Sequence, residues 1–224
     1  MSKRTENRSP HQIHEVYVKI GKIAQTLGSP ARLKILQLLS QSPRSVEQIS
    51  EATGESIANT SQHLQRLARE GLLAATRQGL MRIYRIKSPN VTALWENLQD
   101  LAQELSQDLT AAETEITDAT LRSPLGAREV MDNVRKNRAI LVDVRESFES
   151  AETPVSGARA IPFESLKQEL KTFHKDKTVY VFCRGRYCEL ASQAVRLLRN
   201  AGFNAFRLRE SSFKLNQLAT DRER

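Results

Sequence analysis

Residues 45–71 read SVEQISEATGESIANTSQHLQRLAREG, and the fold of the N-terminal part is decided there. Ser45 followed three residues on by Gln48 is a capping-box start for a helix carrying Val46 and Ile49. Thr53-Gly54-Glu55 ends that helix in a tight turn. Ser56 caps the next helix, with Ile57, Thr60, Leu64 and Leu67 expected on its inner face and Gly71 closing it. The remaining positions, Ala58, Asn59, Ser61, Gln62 and Arg66, then point outward.

Upstream, Ile13, Val16, Ile20, Ile23 and Leu27 recur at helical spacing until Gly28 and Pro30, and Leu33, Leu36 and Leu39 mark another helix. Downstream, residues 72–76 and 81–86 are short strand-like runs around the turn Arg77-Gln78-Gly79-Leu80, and the second alternates apolar and basic residues. Two short helices joined by a glycine turn, a polar outer face on the second and a basic hairpin after it converge on an α+β winged helix-turn-helix. Its second helix would lie in the major groove of double-stranded DNA. Ser56, Asn59, Ser61 and Gln62 are the candidate base-reading residues. Arg66, Arg77 and Arg82 are suited to phosphate or to the minor groove. His63 stands beside that face, where it is either structural or base-reading.

The charge supports the assignment. Of 224 residues, 39% are hydrophobic and 27% charged, with a net charge of +8. Residues 1–90 hold 14 Lys/Arg against 6 Asp/Glu, residues 91–120 hold 7 acids and no Lys/Arg, and residues 121–224 hold 20 basic and 13 acidic residues. A basic first third suits a phosphate-rich partner. The acidic segment is expected to be a long helix over 91–116. Its seam of Val91, Leu94, Leu98, Leu101, Leu105, Leu109, Ala112 and Ile116 would form a homodimer together with residues 13–27. No apolar run reaches the roughly 18 residues of a membrane span. With two cysteines and no secretory leader, the chain is expected in the cytoplasm.

After Ser123-Pro124, helical stretches alternate with apolar runs at 139–143, 178–182 and 202–207, the pattern of an α/β domain with a mainly parallel sheet. Both cysteines lie in Phe182-Cys183-Arg184-Gly185-Arg186-Tyr187-Cys188-Glu189, between a strand and a helix. Backbone N–H groups, the helix N-terminus and two arginines around Cys183 favour a thiolate, which can attack a sulfane sulfur and become a persulfide. A phosphatase would need arginine at the sixth position after Cys183, where Glu189 stands. Cys188 is either a thiol that resolves Cys183 or a small half-buried loop residue.

Two resemblances carry these readings further. Ser29-Pro-Ala-Arg-Leu-Lys-Ile-Leu-Gln-Leu-Leu39, Ser56-Ile-Ala-Asn-Thr-Ser-Gln-His-Leu64 and Leu67-Ala-Arg-Glu-Gly-Leu-Leu73 resemble ArsR-type winged-helix regulators over about residues 12–112. The resemblance implies a dimeric, repressor-like protein on a palindromic operator. Many such regulators bind metal through Cys-Val-Cys, and the matching positions here are Ser45-Val46-Glu47. His11 and His14 lie close together and could hold a metal with Glu15, but no metal or cofactor is expected.

Leu141-Val-Asp143-Val-Arg145, Val155-Ser-Gly-Ala-Arg-Ala-Ile-Pro162 and the cysteine loop resemble the rhodanese (sulfurtransferase) domain over about residues 125–218. That resemblance implies that Cys183 carries sulfur, that residues 184–188 wrap it, and that Asp143 and Arg145 either support the site or form a structural ion pair near it. The usual Gly-His-Ile-Pro-Gly reads Thr153-Pro-Val-Ser-Gly157 here, the usual Asp-Gly reads Glu210-Ser211, and a common Trp is Leu215. The expected layout is residues 1–117 for DNA binding and dimerisation, a linker at 118–125, and a rhodanese-like domain over 126–224. The expected function is regulation of operator binding by reactive sulfur from a donor such as thiosulfate or a persulfide. The alternative is a sulfurtransferase enzyme tethered to a DNA-binding scaffold.

Overall fold

The structure, a computed structural model, describes residues 10–220, and these fall into two compact units that divide between Trp95 and Glu96.

The first unit opens with α1 (Pro10–Leu27) and α2 (Pro30–Leu39). Pro30 occupies the first turn of α2, where its missing N–H is not needed. A two-residue strand β1 (Arg44–Ser45) leads into α3 (Val46–Thr53). The capping box is complete: Ser45 Oγ accepts the Gln48 N–H at 3.3 Å, and Gln48 Oε1 accepts the Ser45 N–H at 2.9 Å. Gly54 ends α3 at φ +73°, a left-handed conformation that other residues adopt only with strain. The chain then enters α4 (Ile57–Arg69), where the Ser56 hydroxyl accepts the Asn59 N–H at 3.2 Å. Strands β2 (Leu73–Gln78) and β3 (Met81–Ile86) form an antiparallel hairpin, and β1 pairs with the other edge of β3. The unit is a winged helix-turn-helix.

Its core comprises Ile35, Leu36, Leu39, Ile49, Leu64, Leu67, Leu72, Leu73 and Tyr84. Burial of each such side chain stabilises by about 1.5–3 kcal/mol. Ile57, expected on the inner face, is 56% exposed instead. It stands in the first turn of α4, where side chains lean back past the helix start and overhang the core.

Helix α5 (Pro89–Leu105) begins in the first unit and continues into the second. The single helix expected over 91–116 is broken. Ser106 adopts an extended conformation (φ −125°, ψ 111°), and its hydroxyl accepts the Leu109 N–H at 3.2 Å to start α6 (Gln107–Thr117). Gln103 Nε2 donates to Glu113 at 2.9 Å, and Thr110 Oγ1 donates to Gln103 at 2.8 Å, which fastens α6 to the last turns of α5. The apolar seam is therefore continuous only as far as Leu105.

The rest of the second unit is α7 (Ala127–Arg135), β4 (Ala139–Asp143), α8 (Ser147–Glu152), β5 (Ala158–Ala160), α9 (Phe163–Glu169), β6 (Thr178–Phe182), α10 (Leu190–Asn200), β7 (Ala205–Arg207) and α11 (Ser212–Thr220). The strands form one parallel sheet in the order β5-β4-β6-β7. Parallel strands need helical crossovers, so the central strands are covered on both faces and read as near-continuous apolar runs. Leu166 of α9 and Ala194, Val195 and Leu198 of α10 cover one face. Val130 and Met131 of α7 and Leu215 of α11 cover the other.

The units divide ahead of residues 118–125 because residues 96–117 bond into the second unit. Ser211 Oγ donates to Glu96 at 2.6 Å, Arg209 Nη2 to Glu113 at 2.6 Å, and Ser192 Oγ to the Thr117 carbonyl at 2.8 Å. No helix among the described residues is long and apolar enough to cross a membrane.

Candidate functional site: a two-cysteine loop and a recognition helix

The loop from Cys183 to Glu189 leaves the end of β6 and enters α10. Gly185 sits at φ +107°, a conformation that other residues adopt only with strain, so the loop needs glycine there on conformational grounds. The Cys188 N–H bonds back to the Gly185 carbonyl at 3.2 Å and closes the turn. The turn brings Cys183 Sγ within 2.8 Å of Cys188 Sγ, with both thiols free.

The two sulfurs differ. Cys183 is only 1% exposed, whereas Cys188 is half-buried. Backbone N–H groups of Arg184 and Leu190 favour the charged form of Cys188, and that of Arg184 favours the charged form of Cys183. Bonding from Cys183 and these N–H groups lowers the Cys188 pKa to about 6. Donation to Cys188 and burial push the Cys183 thiol well above its ordinary value. Within the pair, the shift thus lowers Cys188 and raises Cys183.

Both loop arginines have carboxylate partners. Arg184 grips the fully buried Glu149 through Nε at 2.9 and 3.0 Å and Nη2 at 2.7 Å. Arg186 is ion-paired to Asp100 on α5, and Asp100 also takes Lys214, which holds its carboxyl below the usual range. Tyr187, which follows Arg186, is half-buried.

Asp143 and Arg145 form a closed clamp. Arg145 Nε meets Asp143 Oδ1 at 2.9 Å and Nη2 meets Oδ2 at 2.6 Å. Nη1 reaches Thr153 Oγ1 at 2.8 Å and Ser212 Oγ at 3.0 Å. The clamp locks the end of β4 to the start of α11, which favours the structural reading of the pair.

The sequence reading missed Arg207. It is fully buried at the end of β7, and its Nη2 donates to the carbonyls of Gly185 (3.2 Å), Arg186 (2.5 Å) and Cys188 (3.4 Å). Its Nε and Nη1 have no hydrogen-bond partner. An arginine ending an otherwise apolar strand was the available signal. Glu149 and Asp100 were also missed.

On α4, Asn59 and Gln62 are exposed, and Ser61 and His63 are half-buried. Ser56 is exposed, but its hydroxyl is engaged as the helix cap. Ser61 Oγ accepts from Gln65 at 3.2 Å. Arg66, expected to face phosphate, instead donates from Nε to Thr26 Oγ1 on α1 at 3.3 Å. At the wing, exposed Arg77 donates to the Gly79 carbonyl at 3.0 Å, and exposed Arg82 lies over the Tyr84 ring at 5.5 Å. Among the described residues, no group of three or more His, Cys, Asp or Glu is placed to hold a metal. The His11 side chain lies outside them.

A DNA-binding winged helix-turn-helix followed along the chain by a parallel-sheet domain with a strand–cysteine-loop–helix defines a class: a transcription regulator joined to a rhodanese-like domain. Residues 29–75 match the model for bacterial regulatory proteins of the arsR family, and residues 126–216 match the rhodanese-like domain. The chain belongs to the arsR family of transcription regulators, in a form that carries a C-terminal rhodanese-like domain. It is 35% identical over 193 residues to the HTH-type transcriptional regulator Rv0324 of Mycobacterium tuberculosis, covering 85% of this chain and 84% of that one. It is 36% identical over 80 residues to the HTH-type transcriptional regulator YgaV of Escherichia coli, covering 35% of this chain and 81% of the relative. Among solved structures, the homodimeric winged helix-turn-helix domain of Mb0332 from Mycobacterium bovis matches 46% of this chain and 92% of that chain at 32% identity, with a TM-score of 0.40.

Proposed function

We propose that this regulator senses reactive sulfur: its cysteine loop accepts sulfane sulfur from a donor such as thiosulfate or a persulfide, and loading changes the affinity of a homodimer for a palindromic operator. The observation that carries this reading is the pair of free thiols with sulfurs 2.8 Å apart in the rhodanese-like loop of a DNA-binding regulator. Arg186, in that loop, is paired with Asp100 on α5, a helix whose first turns belong to the DNA-binding unit. A loop that changes on loading can therefore pull on α5.

Dimerisation is supported by the apolar side chains this chain leaves exposed. On α1, Ile13, Val16 and Ile20 are 49–57% exposed, and on α5 Leu94, Leu101 and Leu105 are 41–76% exposed. Such surfaces on helices call for a partner. Asn59 and Gln62 on α4 would read base edges, while Arg77 and Arg82 on the wing would meet the backbone.

The test is fluorescence anisotropy on DNA from the gene's own upstream region at fixed salt. Reduced protein is compared with protein treated with thiosulfate or polysulfide. A shift of about tenfold, ~1.4 kcal/mol of coupling, supports the reading. Unchanged affinity on demonstrably loaded protein overturns it. The acidic Cys188 thiol favours a second reading, a tethered sulfurtransferase, which predicts steady-state sulfur transfer with DNA affinity indifferent to loading.

A further inference from the structure

Within the second unit, a cleft of about 470 Å³ is lined by the last turns of α5, the start of α6, Arg186 of the cysteine loop and the segment after β7. That is the size of a small-molecule site. Its walls are charged, and the charges do not cancel evenly. Asp100 is committed to Arg186 and Lys214, and Glu96 accepts from Ser211. The half-buried Arg122 and Arg209 share one carboxylate, the fully buried Glu113, which meets Arg122 at 3.2 Å and Arg209 at 2.6 Å. Arg207 is fully buried, lies close enough to feel the charges of Glu113 and Arg122, and has no carboxylate of its own among the described residues. Nε of all three arginines, and Nη1 of Arg207, are buried without a hydrogen-bond partner. Three guanidiniums on one carboxylate leave uncompensated positive charge, which attracts an anion. Glu104 supplies the opposite sign. It lines the same cleft, is exposed, and has no partner among the described residues. Its neighbour Gln103 bonds Glu113 at 2.9 Å, so the backbone that carries the free acid passes beside the arginine pair.

We infer that this cleft holds the zwitterionic head of an amino-acid or peptide thiol, with the ligand's carboxylate on Arg122 and Arg209 and its ammonium on Glu104. This rests on the reading that the loop accepts sulfane sulfur, and it names the donor's class: a low-molecular-weight persulfide, RS–SH, whose R group carries an α-amino-acid head. An arginine fork matches a carboxylate with two parallel bonds. An α-amino-acid head presents ammonium and carboxylate side by side, so it needs an acid and a cation that are neighbours. A dianion such as thiosulfate would meet the four acids of the same walls, Glu96, Asp100, Glu104 and Glu210. The loop's own arginines are engaged by Glu149 and Asp100. A ligand held here lies against the cysteine loop, because Arg186 lines the same cleft. Transfer from such a donor needs no further reactant. A loop thiolate attacks the terminal sulfur of RS–SH, a protein persulfide forms, the donor S–S bond breaks, and RS⁻ leaves.

The first readout is calorimetric titration of reduced full-length protein with S-methylglutathione, which carries the charged head and no reactive sulfur. Saturable binding is expected, at least tenfold weaker for the N-acetylated probe and at least fivefold weaker for the Glu104→Gln variant. Glu104 is exposed, so that substitution disturbs no packing. No saturable binding to wild type, or an affinity unchanged by N-acetylation and by Glu104→Gln, overturns the assignment. Sulfate binding as tightly as the probe overturns it too, because that marks a plain anion site. The second readout is loading, followed by intact mass at subsaturating donor. Glutathione persulfide is compared with inorganic polysulfide, which has no head to recognise. The ratio of the two loading rates should fall at least fivefold in Glu104→Gln. An unchanged ratio, with both donors loading wild type, overturns the donor assignment and leaves sulfur sensing intact. No loading of wild type by either donor overturns the underlying reading as well.

Discussion

Asp100 on α5 holds Arg186 of the cysteine loop in a direct ion pair, so the reactive loop is bonded to a helix that starts within the DNA-binding unit. The pair is partly exposed on the Asp100 side, where isolated ion pairs add little stability. Its expected importance is as a connection. Asp100→Asn should leave sulfur loading and the DNA affinity of reduced protein within about twofold of wild type. The change in affinity on loading should fall from about tenfold to under threefold, as read by anisotropy.

Arg207 should matter to the loop more than any residue outside it. Arg207→Met removes the donor shared by three loop carbonyls and the buried charge beside Cys188. The expected result is at least a tenfold slower alkylation of Cys188 at neutral pH, with its pH midpoint moved upward. Arg207→Lys should restore part of the charge effect but not the three-carbonyl geometry, because an ammonium lacks the planar fork.

The pH dependence follows from the direction of the Cys188 shift. A thiol lowered from its ordinary value to about 6 stays in the reactive thiolate form as pH falls to that value, and loses it below. Alkylation of native protein should therefore be near its plateau at pH 7.5 and about half-maximal near pH 6. An unperturbed thiol would be half-maximal near pH ~8.5.

The Asp143–Arg145 clamp gives a stability prediction. Arg145→Met leaves the buried Asp143 carboxylate without its charge partner, and breaking such a pair costs about 3–5 kcal/mol. Thermal unfolding of the rhodanese-like unit should move down accordingly. Sulfur loading per folded molecule should not change if the clamp is architectural.

On DNA, the exposed side chains should separate by role. Asn59→Ala and Gln62→Ala should each weaken specific binding by about 1–3 kcal/mol and leave non-specific binding unchanged. Arg77→Ala and Arg82→Ala should weaken both and reduce the salt slope by about one. Arg66→Ala should act mainly through stability, since its guanidinium is bonded to Thr26 on α1.

Locally determined features were legible in the sequence. The Ser45/Gln48 capping box, the left-handed Gly54, the hairpin and the apolar runs of β4 and β6 are each set by residues within a few positions of one another. The three-residue β5 was too short to carry a pattern. The break at Ser106 was hidden because an apolar seam spans it, and a capping serine inside such a run reads as one more polar helix position. The site was legible only in part. The cysteine loop declares itself, but its counterions come from far along the chain: Glu149 bonds Arg184 across 35 positions and Asp100 meets Arg186 across 86. Ion pairs of that separation leave no periodic trace. The 2.8 Å approach of the two sulfurs depends on how the loop curves, and the spacing of five residues is silent on that.

The central claim is that sulfur on the cysteine pair changes operator binding. The most direct measurement is an anisotropy titration of operator DNA at fixed salt with wild type and with the Cys183→Ser/Cys188→Ser double variant, each before and after treatment with glutathione persulfide. The account predicts a shift of about tenfold for wild type and none for the double variant. Equal affinity of loaded and reduced wild type, or the same shift in the double variant, would contradict it.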